Sequence, residues 1–161
     1  MLHKQAMNPL STKCIGIDPG CSGAIVVLEN NEPIAWLNMP LIKIGTNTRV
    51  NASAIAAFLE PYKKVPVFLE LVHAMPKQGG TSGFTFGHSA GVVQGLVQGA
   101  GHPLTMVTPQ KWKRAAGLIG TEKDAARSTA VLLWPEWRDL DSKGKGGALA
   151  DAALIARHGS T

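Results

Sequence analysis

Cys14-Ile15-Gly16-Ile17-Asp18-Pro19-Gly20 is an apolar run of strand length that ends on an acid and is stopped by Pro-Gly. A second apolar run, Gly23-Ala24-Ile25-Val26-Val27-Leu28, follows and is ended by the turn signal Asn30-Asn31-Glu32-Pro33. Ile34 to Met39 reads as a third strand, so the chain opens as an antiparallel meander. Asn47 to Ser53 is polar and caps a helix through Leu59, which Pro61 terminates. Pro66 to Val72 is an apolar strand carrying one carboxylate, Glu70. A Gly-rich loop follows from His73 to Phe86, then a helix from Phe86 to Gly99 and a short strand from Leu104 to Val107. Pro109 suits the first turn of a helix over Gln110 to Ala116. Thr121 with Asp124 is a capping-box variant that opens a helix to Leu133. Trp134 to Lys145 reads as a connector and Leu149 to Arg157 as the closing helix. This order predicts an α/β domain with a mixed sheet.

Length and charge bound the rest. A chain of 161 residues holds one domain with a full core, taken as residues 13–161 after a flexible leader at 1–12. Sixteen Lys and Arg against eleven Asp and Glu leave a net charge of +5, which favours an anionic partner such as nucleic acid. Cys14 and Cys21 have no third or fourth partner for a zinc site, and the cysteine usage fits a reduced compartment. Without an apolar signal region or a run of transmembrane length, the expectation is a cytoplasmic protein with no membrane partner.

The informative residues are acids in apolar surroundings. Asp18 and Glu70 stand near strand ends, and Asp151 sits inside Ala148-Leu-Ala-Asp-Ala-Ala-Leu-Ile-Ala156. A carboxylate in such a setting is costly unless it is paired, hydrogen-bonded or bound to a cation. Each has an ordinary reading: Asp before Pro-Gly is a turn residue, Glu70 could pair with a lysine, and Asp151 could pair with Arg157. Three acids on separate elements could also converge on Mg²⁺, which takes hard oxygen ligands and keeps waters for phosphodiester hydrolysis.

Ile15-Gly16-Ile17-Asp18-Pro19-Gly20 resembles the opening strand of RuvC-type Holliday junction resolvases, in the RNase H-like superfamily. Phe68-Leu69-Glu70 is similar to the strand bearing that family's second acid, and Asp151-Ala-Ala-Leu-Ile-Ala156 to its C-terminal helix. The closer resemblance is to phage and organellar branches. These carry a Met-Pro-x-Gln-Gly-type loop, a Phe-Gly-x-x-x-Gly helix and a Pro-x-x-Trp-Lys segment, here Met75 to Gly79, Phe86 to Gly91 and Pro109 to Lys113. The resemblance implies an RNase H-like fold, with a five-stranded mixed sheet whose first three strands are antiparallel. It further implies a homodimer that resolves four-way DNA junctions by symmetric paired nicks. Asp18, Glu70 and Asp151 would then be ligands of Mg²⁺, with Mn²⁺ substituting, and Lys123 would stand close to the scissile phosphate, assisted by Lys113. One departure stands out. Many such proteins carry a further acid or a His three residues before the final Asp, a position held here by Ala148, and Gly146 and Gly147 supply no ligand either. That keeps open a catalytically weak or inactive junction-DNA-binding protein. A sugar- or acetate-kinase fragment sharing Asp-Pro-Gly would need a second lobe for which the length leaves no room.

Several residues are candidates for DNA contact. Lys77, Gln78, Thr81 and Ser82 suit phosphates, Phe84 suits stacking at the crossover, and Lys113, Lys143 and Lys145 suit the phosphate backbone. Trp112 reads better as a core residue than as a stacking platform. Gly87, Gly91, Gly95 and Gly99 form a smooth helical stripe, which fits close packing against either the sheet or a second subunit.

Overall fold

The computed structural model describes residues 11–74 and 77–161. The assigned leader from 1 to 10, and Met75 and Pro76 of the Met75–Gly79 loop, lie outside the described residues. Ser11 and Thr12, assigned to the leader, are already tied to the body: Ser11 Oγ donates to Glu29, and the Thr12 N–H donates to Asn30 Oδ1 at 3.1 Å.

Strands β1 (Lys13–Asp18), β2 (Ala24–Glu29) and β3 (Glu32–Asn38) form the expected antiparallel meander. β6 (Val67–Glu70) and β7 (Leu104–Val107) add in parallel on the other side of β1, giving the sheet order β3-β2-β1-β6-β7. Five consecutive residues of β2 are buried, because both faces of the sheet are covered. Ile15, Ile17, Ile25 and Val27 pack toward α1 (Ala52–Leu59) and α2 (Gly80–Gly99). Ala24, Val26 and Leu28 pack toward α4 (Ala125–Leu133) and α5 (Lys143–His158), together with Trp112 of α3 (Pro109–Ala115).

Four local expectations need correction. The polar stretch expected only to cap α1 also supplies β5 (Asn47–Val50), which forms a hairpin with the unassigned β4 (Leu41–Ile44), turned by Gly45 at φ 61°. Asn51 alone provides the cap, accepting from the Ala54 N–H at 3.1 Å. The predicted loop to Phe86 is shorter, since α2 starts at Gly80, and Thr81, Ser82 and Phe84 therefore lie on its first turns. Thr121 does not open α4; its hydroxyl donates to the Leu118 carbonyl at 2.7 Å and closes the preceding turn. The connector expected to run to Lys145 is already helical from Lys143, so Lys143 and Lys145 sit on α5. Each glycine there costs about 1 kcal/mol relative to Ala. Packing explains Gly146, because a Cβ on it would lie 2.6 Å from the Leu140 carbonyl oxygen.

The glycine stripe is settled in one respect. Gly87, Gly91, Gly95 and Gly99 are exposed, and among the described residues a Cβ on any of them would meet nothing within 4 Å. The buried side of α2 is instead Ser89, Val93 and Val97, so packing against the sheet does not account for the glycines.

Candidate metal and nucleic-acid site

The three singled-out acids come together at the carboxyl end of the parallel strands, where open α/β sheets bind ligands. Asp18 ends β1 and Glu70 ends its parallel neighbour β6, with Ile17 opposite Leu69 one residue earlier. Asp151 comes from α5, which lies against β1 because Gly16 has no side chain: a Cβ there would stand 2.0 Å from the Ala152 carbonyl oxygen. The turn after Asp18 is equally tight, since a Cβ on Gly23 would reach to 2.1 Å from the Asp18 carbonyl oxygen. These glycines bring two acids, 133 positions apart in sequence (151 − 18), to one place.

The three acids act on one another electrostatically. Burial pushes the Glu70 carboxyl up to about 7; the Trp112 hydrogen bond opposes this, Asp18 and Asp151 add to it, and Lys113 opposes it. Asp151 is raised to about 6, first by burial and then by Asp18, against the pull of Lys113. Asp18 is also raised by burial, although a Gly20 backbone hydrogen bond and Lys113 favour its charge. Lys113 is thus the cation whose field reaches all three acids. Its Nζ lies 5.4 Å over the Trp112 ring.

Two clefts open beside the acids. One of about 570 Å³ is lined by Asp18 and Asp151 with Lys123, Asp124, Arg127 and Lys143. The other, of about 970 Å³, shares Asp18 and Lys123 and is walled by Gln78, Thr81, Ser82 and Phe86. Lys123 therefore stands between the two. Phe84 lies farther along α2, 65% exposed, with the Arg49 guanidinium 5.8 Å from its ring centroid. Lys77 and Lys145 are exposed but line neither cleft.

Sequence reasoning missed two features. Trp112, read as core, is buried as expected, yet its Nε1 donates to Glu70 Oε2 at 2.7 Å. Nothing in the sequence separates a packed indole from a packed indole with an acid at its edge. Arg127 grips Asp124 through two hydrogen bonds, of 2.8 and 2.7 Å, and donates to the Leu140 carbonyl at 3.1 Å. Its Asp three positions earlier was the available signal for an i,i+3 pair.

The donor set fits a hard divalent cation. Its oxygens are carboxylates, they repel one another, and one lysine is shared among three acids. Among the described residues, however, no three His, Cys, Asp or Glu side chains already stand as a ligand set. Ala148 and Gly147 line the first cleft, and neither offers it a side-chain oxygen or nitrogen.

The antiparallel meander, the two parallel strands and the helices on both faces make this an RNase H-like α/β fold of the kind found in RuvC. Two solved structures of Thermus thermophilus RuvC share it. One, in complex with a Holliday junction substrate, is 18% identical over 90% of each chain with a TM-score of 0.58. The other is 16% identical over 90% of this chain and 91% of that one, with a TM-score of 0.55. At these identities the likeness is one of fold. No family model and no curated protein matches the chain.

Proposed function

We propose that the chain is a divalent-metal-dependent endonuclease that cuts four-way DNA junctions by paired nicks. The observation that carries this reading is the placing of Asp18 and Asp151 on one cleft, with Glu70 at the end of the strand beside Asp18, and with Asp18 and Lys123 shared by a second cleft. The junction bound to a protein of the same fold supports branched DNA as the substrate. The order of the Phe86–Gly91 and Pro109–Lys113 motifs is what supports a phage- or organellar-type enzyme.

Asp18, Glu70 and Asp151 would hold Mg²⁺, with Mn²⁺ substituting. When bound, the ion supplies Lewis acidity toward phosphate oxygen and toward water. Lys123, on the wall of both clefts, is placed to neutralise charge on a phosphate entering either one. Lys113 favours the charged form of all three acids, against the burial that raises them. Gln78, Thr81 and Ser82 offer hydrogen-bonding groups along the groove wall, Phe84 an exposed ring for an unstacked base, and Lys143 a cation at the first cleft. Lys77 and Lys145 would serve strand segments beyond the clefts. One chain holds one such site, so two nicks need two chains. The open glycine stripe of α2 supports a homodimer.

The test uses labelled four-way junction and matched linear duplex, with Mg²⁺ or with EDTA. Symmetric nicks on the junction alone, lost in EDTA and in Asp18→Asn or Glu70→Gln chains that still bind it, support the resolvase. The departure at Ala148 favours a second reading, a junction-binding protein with weak or no nuclease activity, for which tight binding without nicks would be the result. Absence of any junction preference refutes both.

A further inference from the structure

We infer that Trp112 is a positioning residue for Glu70: its indole N–H fixes one carboxylate oxygen and thereby prepares the other for a cation. The inference rests on the metal-dependent reading above and adds a residue to it. Trp112 is 1% exposed and lies in the core cluster that joins α3 to residues of β2 and α5, so its ring is held by packing. Its Nε1 reaches Glu70 Oε2 at 2.7 Å, the short end of the range for a hydrogen bond to a charged acceptor. The other end of α3 is held as firmly, with Thr108 capping the helix by accepting from the Lys111 N–H at 3.2 Å. Val107 in turn pairs with Glu70 across β6 and β7. The carboxylate is therefore anchored on β6, and the indole on the helix that follows β6's parallel neighbour β7 after Thr108.

The arrangement answers a problem the acids create for themselves. Asp18 and Asp151 repel the Glu70 charge, and an unsupported side chain would rotate away from them. An indole N–H donates only, so it favours the charged carboxylate and occupies a single oxygen. Outer partners of this kind orient ligands, and removing one typically costs about 10- to 100-fold in metal affinity. Lys113, one residue on, lies over the same ring, so a single turn of α3 supplies both the donor and the cation that act on Glu70.

The test measures Mn²⁺ binding to the full metal-free chain by calorimetry, apart from any cleavage. Two changes are compared: Trp112→Phe, and benzothienylalanine placed at position 112 alone, which keeps the ring's shape and lacks the N–H. Thermal unfolding in EDTA reports packing. The expected result is a Mn²⁺ dissociation constant raised about tenfold or more by the isostere, with its unfolding temperature close to the parent's. Parent-like Mn²⁺ affinity in the isostere overturns the inference and leaves the metal site standing, even if Trp112→Phe fails to fold. A parent chain whose Mn²⁺ binding is absent, or survives Asp18→Asn, overturns the metal reading and this inference together.

Discussion

Glu70→Gln should stabilise the metal-free protein, and the gain should depend on pH in a way fixed by the site. The Glu70 carboxyl ordinarily titrates near 4.5 and in the fold is raised to about 7, chiefly by burial. The folded state therefore holds that proton more tightly than the unfolded chain. Below pH 4.5 both states are protonated and the site contributes nothing. Between pH 4.5 and 7 the folded state binds more protons, so stability falls as pH rises, and above 7 the full penalty is present. At about 1.4 kcal/mol per unit the penalty has a ceiling of about 3.5 kcal/mol. Partial exposure of Glu70 and relaxation of Asp18 and Asp151 bring the expectation to about 1–2 kcal/mol. A glutamine removes the charge, and its carbonyl oxygen can still accept from Trp112. For a domain of this size the gain corresponds to roughly 2–8 °C. Thermal unfolding at constant ionic strength in EDTA, at pH 8 and pH 5, reads it directly. The variant should unfold higher at pH 8, and the gap should close toward pH 5. Millimolar Mg²⁺ at pH 8 should shrink the gap by stabilising the parent alone. Equal unfolding temperatures at pH 8, or a gap that widens at pH 5, would refute the claim that Glu70 is held as an unneutralised charge.

Three further substitutions probe the frame of the site. Gly16→Ala places a Cβ 2.0 Å from the Ala152 backbone oxygen, and backbone cannot step aside as a flexible side chain can. α5 must lift from β1, so unfolding should drop by several degrees and Mn²⁺ binding should weaken as Asp151 leaves Asp18, both measurable on the same sample. Ala148→Asp adds a carboxylate at the wall of the first cleft and should tighten Mn²⁺ binding in calorimetry, whereas Gly146→Asp should fail to fold stably because its Cβ would lie 2.6 Å from the Leu140 carbonyl oxygen. A Gly146→Asp chain as stable as the parent would refute the close packing of Gly146 against the Leu140 backbone.

The parts of the molecule legible in the sequence are those where one local signal had one physical meaning. Continuous apolar runs stopped by Pro-Gly or Asn-Asn gave the meander, because a central strand covered on both faces must be apolar throughout. The three acids were legible for the converse reason, being charges where burial was already implied by their neighbours. What escaped depended on tertiary contact. The start of α5 is rich in glycine and reads as a connector, yet it is helical where Gly146 fits against Leu140 and Asp139. The β4–β5 hairpin is only four residues a strand and carries Leu41, Ile42 and Ile44 exposed, so no alternation marks a buried face. Thr121 and Asp124 have the spacing of a cap, but Arg127 claims the Asp and Leu118 claims the Thr. The Trp112–Glu70 bond joins residues 42 positions apart and leaves no trace in either neighbourhood.

The charge of the chain takes on a different meaning once the site is in view. A surplus of +5 would draw nucleic acid toward any basic face, but Asp18, Glu70 and Asp151 oppose it where a strand would have to lie. Lys113 cannot offset three acids, Arg127 is committed to Asp124, and Lys123 and Lys143 stand at the cleft walls. A phosphate brought in without further positive charge would add a fourth anion to the group, at a cost that grows with exclusion of water. On the proposed reading, the acids therefore make strand entry conditional on a divalent cation, and the basic walls alone can hold DNA only at a distance. Two kinds of binding follow from one set of residues. Contact through Lys123 and Lys143 should be weakened by salt with or without metal, while seating of the phosphate against the acids should require it.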